Sequence, residues 1–332
     1  MSRYTAAHAN PKGPGDARPT ALQIIKDEGL EEKRQGQIFV ITGTSSGIGI
    51  ETVRAIAATG ATLYLTARDL DKAKTALDGI FDPSRMELFQ MDQGSLASVR
   101  AAAAAILKKT SKIHCLIANA GIMAIPDLRF TEEGHELQFG TNHLSHFLFF
   151  QLLKPALLAA ASPDIPSRVV VLSSSSHNIH GINDSDNYNF QHGDYDPNVA
   201  YGQSKTANIY MANEIERRYG AQHLHATSVH PGIIATGLTR HMPPDAFKGM
   251  EHIYPMMKSV EQGAATTVWA AVGEAWKHAG GKYLVDCDVA KPSLDEHDKI
   301  IGPGYAAHAY DVEKAKRLWK DSNKLVGLED EE

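Results

Sequence analysis

Tyr201 and Lys205 stand four residues apart in a stretch with helical patterning, so their side chains share one face. A phenol with a pKa of about 10 is a poor acid or base at neutral pH, but an ammonium beside it favours the phenolate and makes proton transfer feasible. Tyr-x-x-x-Lys recurs by chance on protein surfaces, so its meaning depends on what surrounds it. Far upstream, Thr42-Gly43-Thr44-Ser45-Ser46-Gly47-Ile48-Gly49 links a short apolar run to a helical stretch. Glycines at 43, 47 and 49 permit a tight turn that brings backbone N–H groups and a helix N-terminus against a pyrophosphate. Ser45, Ser46 and Ile48 fill the turn between them. A dinucleotide site and a proton-transferring pair are therefore the chemistry to be positioned.

The elements that would position them alternate. Ile38-Phe39-Val40-Ile41 is a continuous apolar run suited to a strand buried on both faces of a parallel sheet. Further strands are expected at 61–66, 86–89, 113–118, 168–172, 224–229 and 282–284, with helices at 51–59, 71–77, 95–109, 136–153, 201–219 and 260–272. Seven strands with interleaved helices predict one α/β, doubly wound, Rossmann-type domain with a seven-stranded parallel sheet. Residues 178–199 and 233–255 interrupt the alternation, and long loops of this kind more often bind than fill.

The end of the second strand bears on the cofactor. An acidic side chain there binds a ribose 2′-hydroxyl, whereas an arginine accommodates a 2′-phosphate. The strand ends Thr66-Ala67-Arg68-Asp69, so Arg68 favours NADP(H), with Asp69 as the rival reading in which it binds ribose and Arg68 is only solvated.

The spacing Thr42-Gly43-x-x-x-Gly47-x-Gly49 resembles the fingerprint of the short-chain dehydrogenase/reductase family. The resemblance runs in chain order through Asp92, Asn119-Ala120-Gly121, Asn142, the serines after the fifth strand, Tyr201-x-x-x-Lys205 and Pro231-Gly232, and covers roughly residues 37–292. It implies that Asp92 holds the adenine edge, that Asn119 braces the central strands, and that Ala120, Gly121, Pro231, Gly232 and Thr236 also contact the cofactor. It further implies that Lys205 touches ribose, that Asn142 holds a water for proton relay, and that a serine orients substrate. Ser174 fits that serine best, with Ser175 as the rival one register along. Residues 142–147, 168–177, 200–205, 230–232 and 281–284 are similar to the retinol-dehydrogenase and WW-domain-oxidoreductase branch.

The remaining composition narrows partners. The formal net charge of −6, without a long basic block, gives no attraction for nucleic acid or anionic lipid. The most apolar window, 144–153, is about half the roughly 20 residues that a spanning helix needs. Residues 1–18 lack a secretory h-region. Only two cysteines are present, which excludes a disulfide framework and fits a reducing cytoplasmic setting. The pairs His143/His146 and His177/His180 have no Cys or carboxylate at ligand spacing, so both read as packing or loop histidines and no metal is expected.

The expectation is an NADP(H)-dependent oxidoreductase acting on an apolar ketone, aldehyde or alcohol, with Asn142, Ser174, Tyr201 and Lys205 as its catalytic group. Residues 36–295 would form the domain, 1–35 and 296–332 terminal extensions ending in a frayed acidic tail at 328–332, and the two loops would select substrate. A homo-oligomer is left open. The alternatives are a non-redox isomerase or cyclase on the same site and a non-catalytic cofactor sensor.

Overall fold

The computed structural model describes residues 2–242, 249, 251–293 and 302–329. Within the loop expected at 233–255, residues 243–248 and 250 lie outside the described residues, as do 296–301 and 330–332 of the C-terminal extension and its acidic tail.

Seven parallel strands form the sheet: β1 (Ile38–Thr42), β2 (Thr62–Ala67), β3 (Met86–Gln90), β4 (Cys115–Ala118), β5 (Ser167–Leu172), β6 (Leu224–His230) and β7 (Lys282–Val285), in the order β3-β2-β1-β4-β5-β6-β7. An eighth strand, β8 (Asp288–Val289), pairs antiparallel with β7 and corrects the expected count of seven. Two residues are too short to leave an alternating pattern in sequence. The α-helices of seven residues or more among the described residues are α1 (Ala21–Asp27), α2 (Ile48–Ala57), α3 (Leu70–Ala76), α4 (Leu96–Leu107), α5 (Ser145–Ala160), α6 (Pro197–Tyr219), α7 (Ala265–Val272) and α8 (Val312–Leu325).

Because strand side chains alternate, each strand feeds both faces of the sheet. Val40, Val169 and Val171 join Phe147, Phe150, Tyr210 and Trp319 on one face; Phe39, Ile41, Val170 and Leu172 join Val53, Ile56, Val268 and Trp269 on the other. This two-sided burial is why the strands read as unbroken apolar runs. Both terminal segments contribute: α1 buries Ile24 and Ile25 in the second cluster, and α8 sets Trp319 edge-on to Phe147 at 4.9 Å. Burying side chains of this size is worth roughly 1.5–3 kcal/mol each. Leu328, within the expected frayed tail, packs partly buried against the first cluster.

Strand order reverses between β1 and β4, and in open α/β sheets such a reversal leaves a crevice outside the carboxyl ends of the strands. The glycine turn, Asn119 and the serines all follow strands at that edge.

Candidate active site

The glycine turn leaves β1 tightly against its neighbours. Gly43 has φ 72°, and a Cβ there would lie 2.7 Å from the Ala120 Cα. A Cβ on Gly49 would run into the Gly43 carbonyl oxygen. Gly47 caps α2 at φ 59° and ψ −144° with no side-chain cap; Ile50 N donates to the Gly47 carbonyl at 3.2 Å, which leaves the amides of Ile48 and Gly49 to face an anion. A Cβ on Gly47 would sit 3.5 Å from Thr236, so the turn after β6 faces the glycine turn. The geometry of these residues fits a bound pyrophosphate.

Asn119 ties β4 to β1. Its amide and that of Ala120 donate to Thr42 Oγ1 at 2.9 and 3.0 Å, and its Nδ2 donates to the Thr42 carbonyl at 2.8 Å. Its Oδ1 is buried without a partner among the described residues. Asp92 closes its own turn, Oδ1 accepting from Gly94 N at 2.9 Å. At the end of β2, Asp69 caps α3 by accepting from Lys72 N at 3.0 Å. Arg68 beside it is exposed, and its guanidinium has no hydrogen bond or ion pair among the described residues.

Tyr201 and Lys205 lie on the first turns of α6, which Asp196 caps through the amides of Asn198 and Val199 and which Pro197 opens. Both are buried. Burial holds the Tyr201 phenol above its ordinary range, while the Ser174 hydroxyl pulls it back. Lys205 Nζ stands over the Tyr201 ring, 5.4 Å from its centroid, and donates to the Leu172 carbonyl at 3.2 Å. Nζ thus directs one of its three donors to a carbonyl while remaining close to the ring, and burial dominates the position of the phenol. Burial alone pushes Lys205 down to about 8.

The serines follow β5 and lead into a 3-10 turn, Ser175–Asn178, which turns each to a different partner. Ser173 Oγ donates to the Lys205 carbonyl at 2.8 Å, Ser174 acts on Tyr201, and the Ser175 amide donates to His230 Nδ1 at 3.2 Å. Ser174 is thus the hydroxyl brought to the phenol. Asn142 lies in a π-helical turn, Gly140–Leu144, that continues into α5; such turns often mark functional positions. Its side chain links Ile122 and Ser204: Oδ1 accepts from Ile122 N at 2.9 Å, and Nδ2 donates to Ile122 O at 2.9 Å and Ser204 Oγ at 3.0 Å.

His146, expected as packing, has a more particular position. Its Nδ1 meets the Asn142 carbonyl at 3.0 Å and its Nε2 meets Thr42 Oγ1 at 2.9 Å. Burial pushes this imidazole down to about 4, so it is neutral. Nδ1–H then donates to Asn142, and Nε2 is the acceptor shared by the Thr42 hydroxyl at 2.9 Å and Gln93 Nε2 at 3.1 Å; the Thr42 oxygen in turn accepts from Asn119 and Ala120. One neutral ring joins the glycine turn to the Asn142 backbone. Only the i, i+4 spacing of Asn142 and His146 hinted at it.

The first loop holds a surprise. Tyr188, in the loop 178–199 expected to select substrate, stacks on Phe139 at 5.1 Å and bonds Asp321 of α8 at 2.7 Å. Phe190 is buried against Tyr195, whose hydroxyl donates to Ile125 O at 2.9 Å. These aromatics fasten the loop to the body because burial there removes more apolar surface from water. A cavity of about 90 Å³ lined by Arg34, Phe39, His114 and Arg168 lies at the opposite, N-terminal ends of the strands.

A doubly wound sheet with a glycine cradle, a free arginine after β2 and a Tyr–Lys pair at the carboxyl edge defines a Rossmann-type dinucleotide-dependent protein. The chain belongs to the short-chain dehydrogenase/reductase family, and so is an oxidoreductase of a family that binds a nicotinamide cofactor. The short chain dehydrogenase family matches residues 37–189. The short-chain dehydrogenase/reductase prx1 of Penicillium roqueforti is 46% identical over 329 residues, covering 98% of this chain and 95% of that protein. Human retinol dehydrogenase 13 is 34% identical over 302 residues, covering 89% and 86%. Among solved structures, an uncharacterized protein from Mycobacterium paratuberculosis superposes with a TM-score of 0.67 at 30% identity, covering 89% of this chain and 95% of that one. Among the described residues, no helix is long and apolar enough to cross a membrane.

Proposed function

We propose that the protein is an NADP(H)-dependent oxidoreductase that interconverts an apolar ketone or aldehyde with its alcohol. The observation that carries the reading is the convergence of Ser174, Tyr201 and Lys205 beside the glycine cradle, at the edge where Arg68 is free. Asp69 Oδ1 accepts from Lys72 N in the α3 cap, and the exposed guanidinium beside it is the group suited to a 2′-phosphate.

When bound, the nicotinamide supplies or accepts the hydride. Gly43, Ser45, Ser46, Gly47, Ile48 and Gly49 would hold its pyrophosphate, and Asp92, Asn119, Ala120, Gly121, Pro231, Gly232 and Thr236 the remaining contacts. In this chain, Tyr201 transfers the hydroxyl proton and Ser174 hydrogen-bonds the substrate oxygen. Lys205, with a pKa near the working pH, exchanges protons with the phenol's surroundings and contacts ribose, while Asn142 supports the relay. Leu128 and Phe130 leave apolar surface exposed on the loop that follows β4, which suits an apolar substrate. On this reading 36–295 is the catalytic domain, and 178–199 and 233–255 set substrate preference. Two buried free thiols, Cys115 and Cys287, suit a reducing cytoplasmic compartment.

The test is a carbonyl panel followed by NADPH absorbance and product mass. Reduction adds two hydrogens; a product of unchanged mass would establish isomerisation instead, and NADPH binding without turnover of any carbonyl would leave only a sensor.

A further inference from the structure

Lys258 is almost wholly buried, yet it lies outside the Tyr201 group. Its Nζ is 2.6 Å from Asp286 Oδ1 and donates to the Pro231 carbonyl at 3.2 Å. Its backbone amide donates to the Ile233 carbonyl at 2.9 Å, and Ile234 and Lys258 form an isolated β-bridge. The stem of the side chain presses on Gly232: a Cβ there would come within 2.8 Å of Lys258 Cδ, and φ at Gly232 is 106°. The Pro231–Gly232 turn is thus gripped by one residue through its carbonyl, its following backbone and its bare Cα.

The partner carboxylate is itself held at a cost. Asp286 and Cys287 connect β7 to β8 with φ of 54° and 52°, consecutive left-handed residues neither of which is glycine. The N-terminal segment backs this connection: Thr5 Oγ1 donates to Asp288 at 2.6 Å, and His8 Nε2 lies 3.9 Å from Asp286. A buried ion pair is weak support for stability, since apolar residues of similar volume often do as well. What an apolar side chain cannot supply is a directed donor to the Pro231 carbonyl.

We propose that Lys258, anchored by Asp286, is a positioning residue for the redox reaction, fixing the Pro231–Gly232 turn against which the nicotinamide half of the cofactor would lie. The inference rests on the cofactor reading above. Lys258 acts through the turn and touches no reacting atom.

The test compares Lys258→Met, Lys258→Arg and the double variant Lys258→Met/Asp286→Asn with wild type. Four quantities are measured: thermal midpoint of the apo protein, amide exchange of residues 232–234 without cofactor, NADPH affinity by fluorescence, and kcat with its primary isotope effect from 4-deuterated NADPH. The single Met variant orphans a carboxylate and loses midpoint temperature; the double variant regains most of it. Positioning requires that the double variant still show faster exchange at 232–234, kcat at least tenfold below wild type and an enlarged isotope effect, with Lys258→Arg recovering part of kcat. A double variant with wild-type midpoint, exchange and kcat overturns the role alone. Wild-type protein that fails to bind NADPH overturns the cofactor reading, and the role with it.

Discussion

The Lys205 ammonium stands 5.4 Å from the centre of the Tyr201 ring, over its face, with Ser174 acting on the phenol oxygen. The hydroxyl that transfers the proton is thus set by Ser174, and the cation sits behind it. Tyr201→Phe keeps the ring and its packing but removes the donor, so turnover falls by roughly 10²–10⁴-fold while NADPH affinity is nearly unchanged. Fluorescence titration beside steady-state kinetics checks this; near-normal turnover would remove Tyr201 from the mechanism.

Burial pushes Lys205 down to about 8, so the ammonium is lost over a pH range that an ordinary lysine would survive. The profile of kcat/KM for carbonyl reduction should turn down above about 8. A guanidinium keeps its proton in that range, so whatever activity Lys205→Arg retains should lack this limb. A limb that persists unchanged in the variant would assign the titration elsewhere.

Arg68 is exposed and unpaired among the described residues, while Asp69 is spent on the α3 cap. Arg68→Ala therefore weakens NADPH binding by roughly 1.5–3 kcal/mol, the worth of a hydrogen bond to a charged group, and leaves NADH nearly untouched. Asp69→Ala costs about 1 kcal/mol of helix stability and spares both affinities. Parallel titrations with the two cofactors decide it, and equal losses for NADPH and NADH in Arg68→Ala count against a 2′-phosphate site.

What the sequence disclosed is what is local. The two-sided burial of Val169-Val170-Val171 makes β5 an apolar run, and the glycine turn and the Tyr201–Lys205 spacing are each contained in a few residues. What it hid depends on distant partners. His146 meets Thr42 across 104 positions, and Tyr188 meets Asp321 across 133, so the first reads as packing and the second only as part of a loop expected to select substrate. Four serines in a row leave Ser174 only narrowly ahead of Ser175 in the sequence; the contact with Tyr201 comes from Ser174, while Ser173 turns to the Lys205 carbonyl.

Trp319 of α8 packs edge-on against Phe147 and carries the Arg218 guanidinium 4.8 Å from its ring centroid. Residues outside the matched family segment thus complete the core beneath the catalytic helix α6. Trp319→Ala should cost about 3–5 kcal/mol in urea unfolding. A loss under about 1 kcal/mol would mean that α8 is dispensable to the fold.

Acid should unfold this protein earlier than its carboxylates alone would dictate. Burial pushes His143 and His230 down to about 3, and His146 and His177 down to about 4, whereas in an unfolded chain they titrate near about 6.5. Between those values the unfolded state binds protons that the native state refuses, so stability rises with pH; it is fully present above about 6.5 and drains away as pH falls. Glu136 works the other way. Burial pushes its carboxyl up to about 7 against the pull of the Gln138 and Phe139 amides, so the native state holds a proton that the unfolded state releases above about 4.5. From these five groups the excess near pH 5 is about three protons, or roughly 4 kcal/mol per pH unit, and the burial that also lowers His8, His114, His135, His241 and His308 acts in the same direction. Urea unfolding at intervals from pH 8 to 5 should show that slope, and His143→Gln, which removes one titrating ring from beside Ser322, should reduce it by about one proton. A stability flat from pH 7 to 5 would mean that these imidazoles reach water and titrate normally.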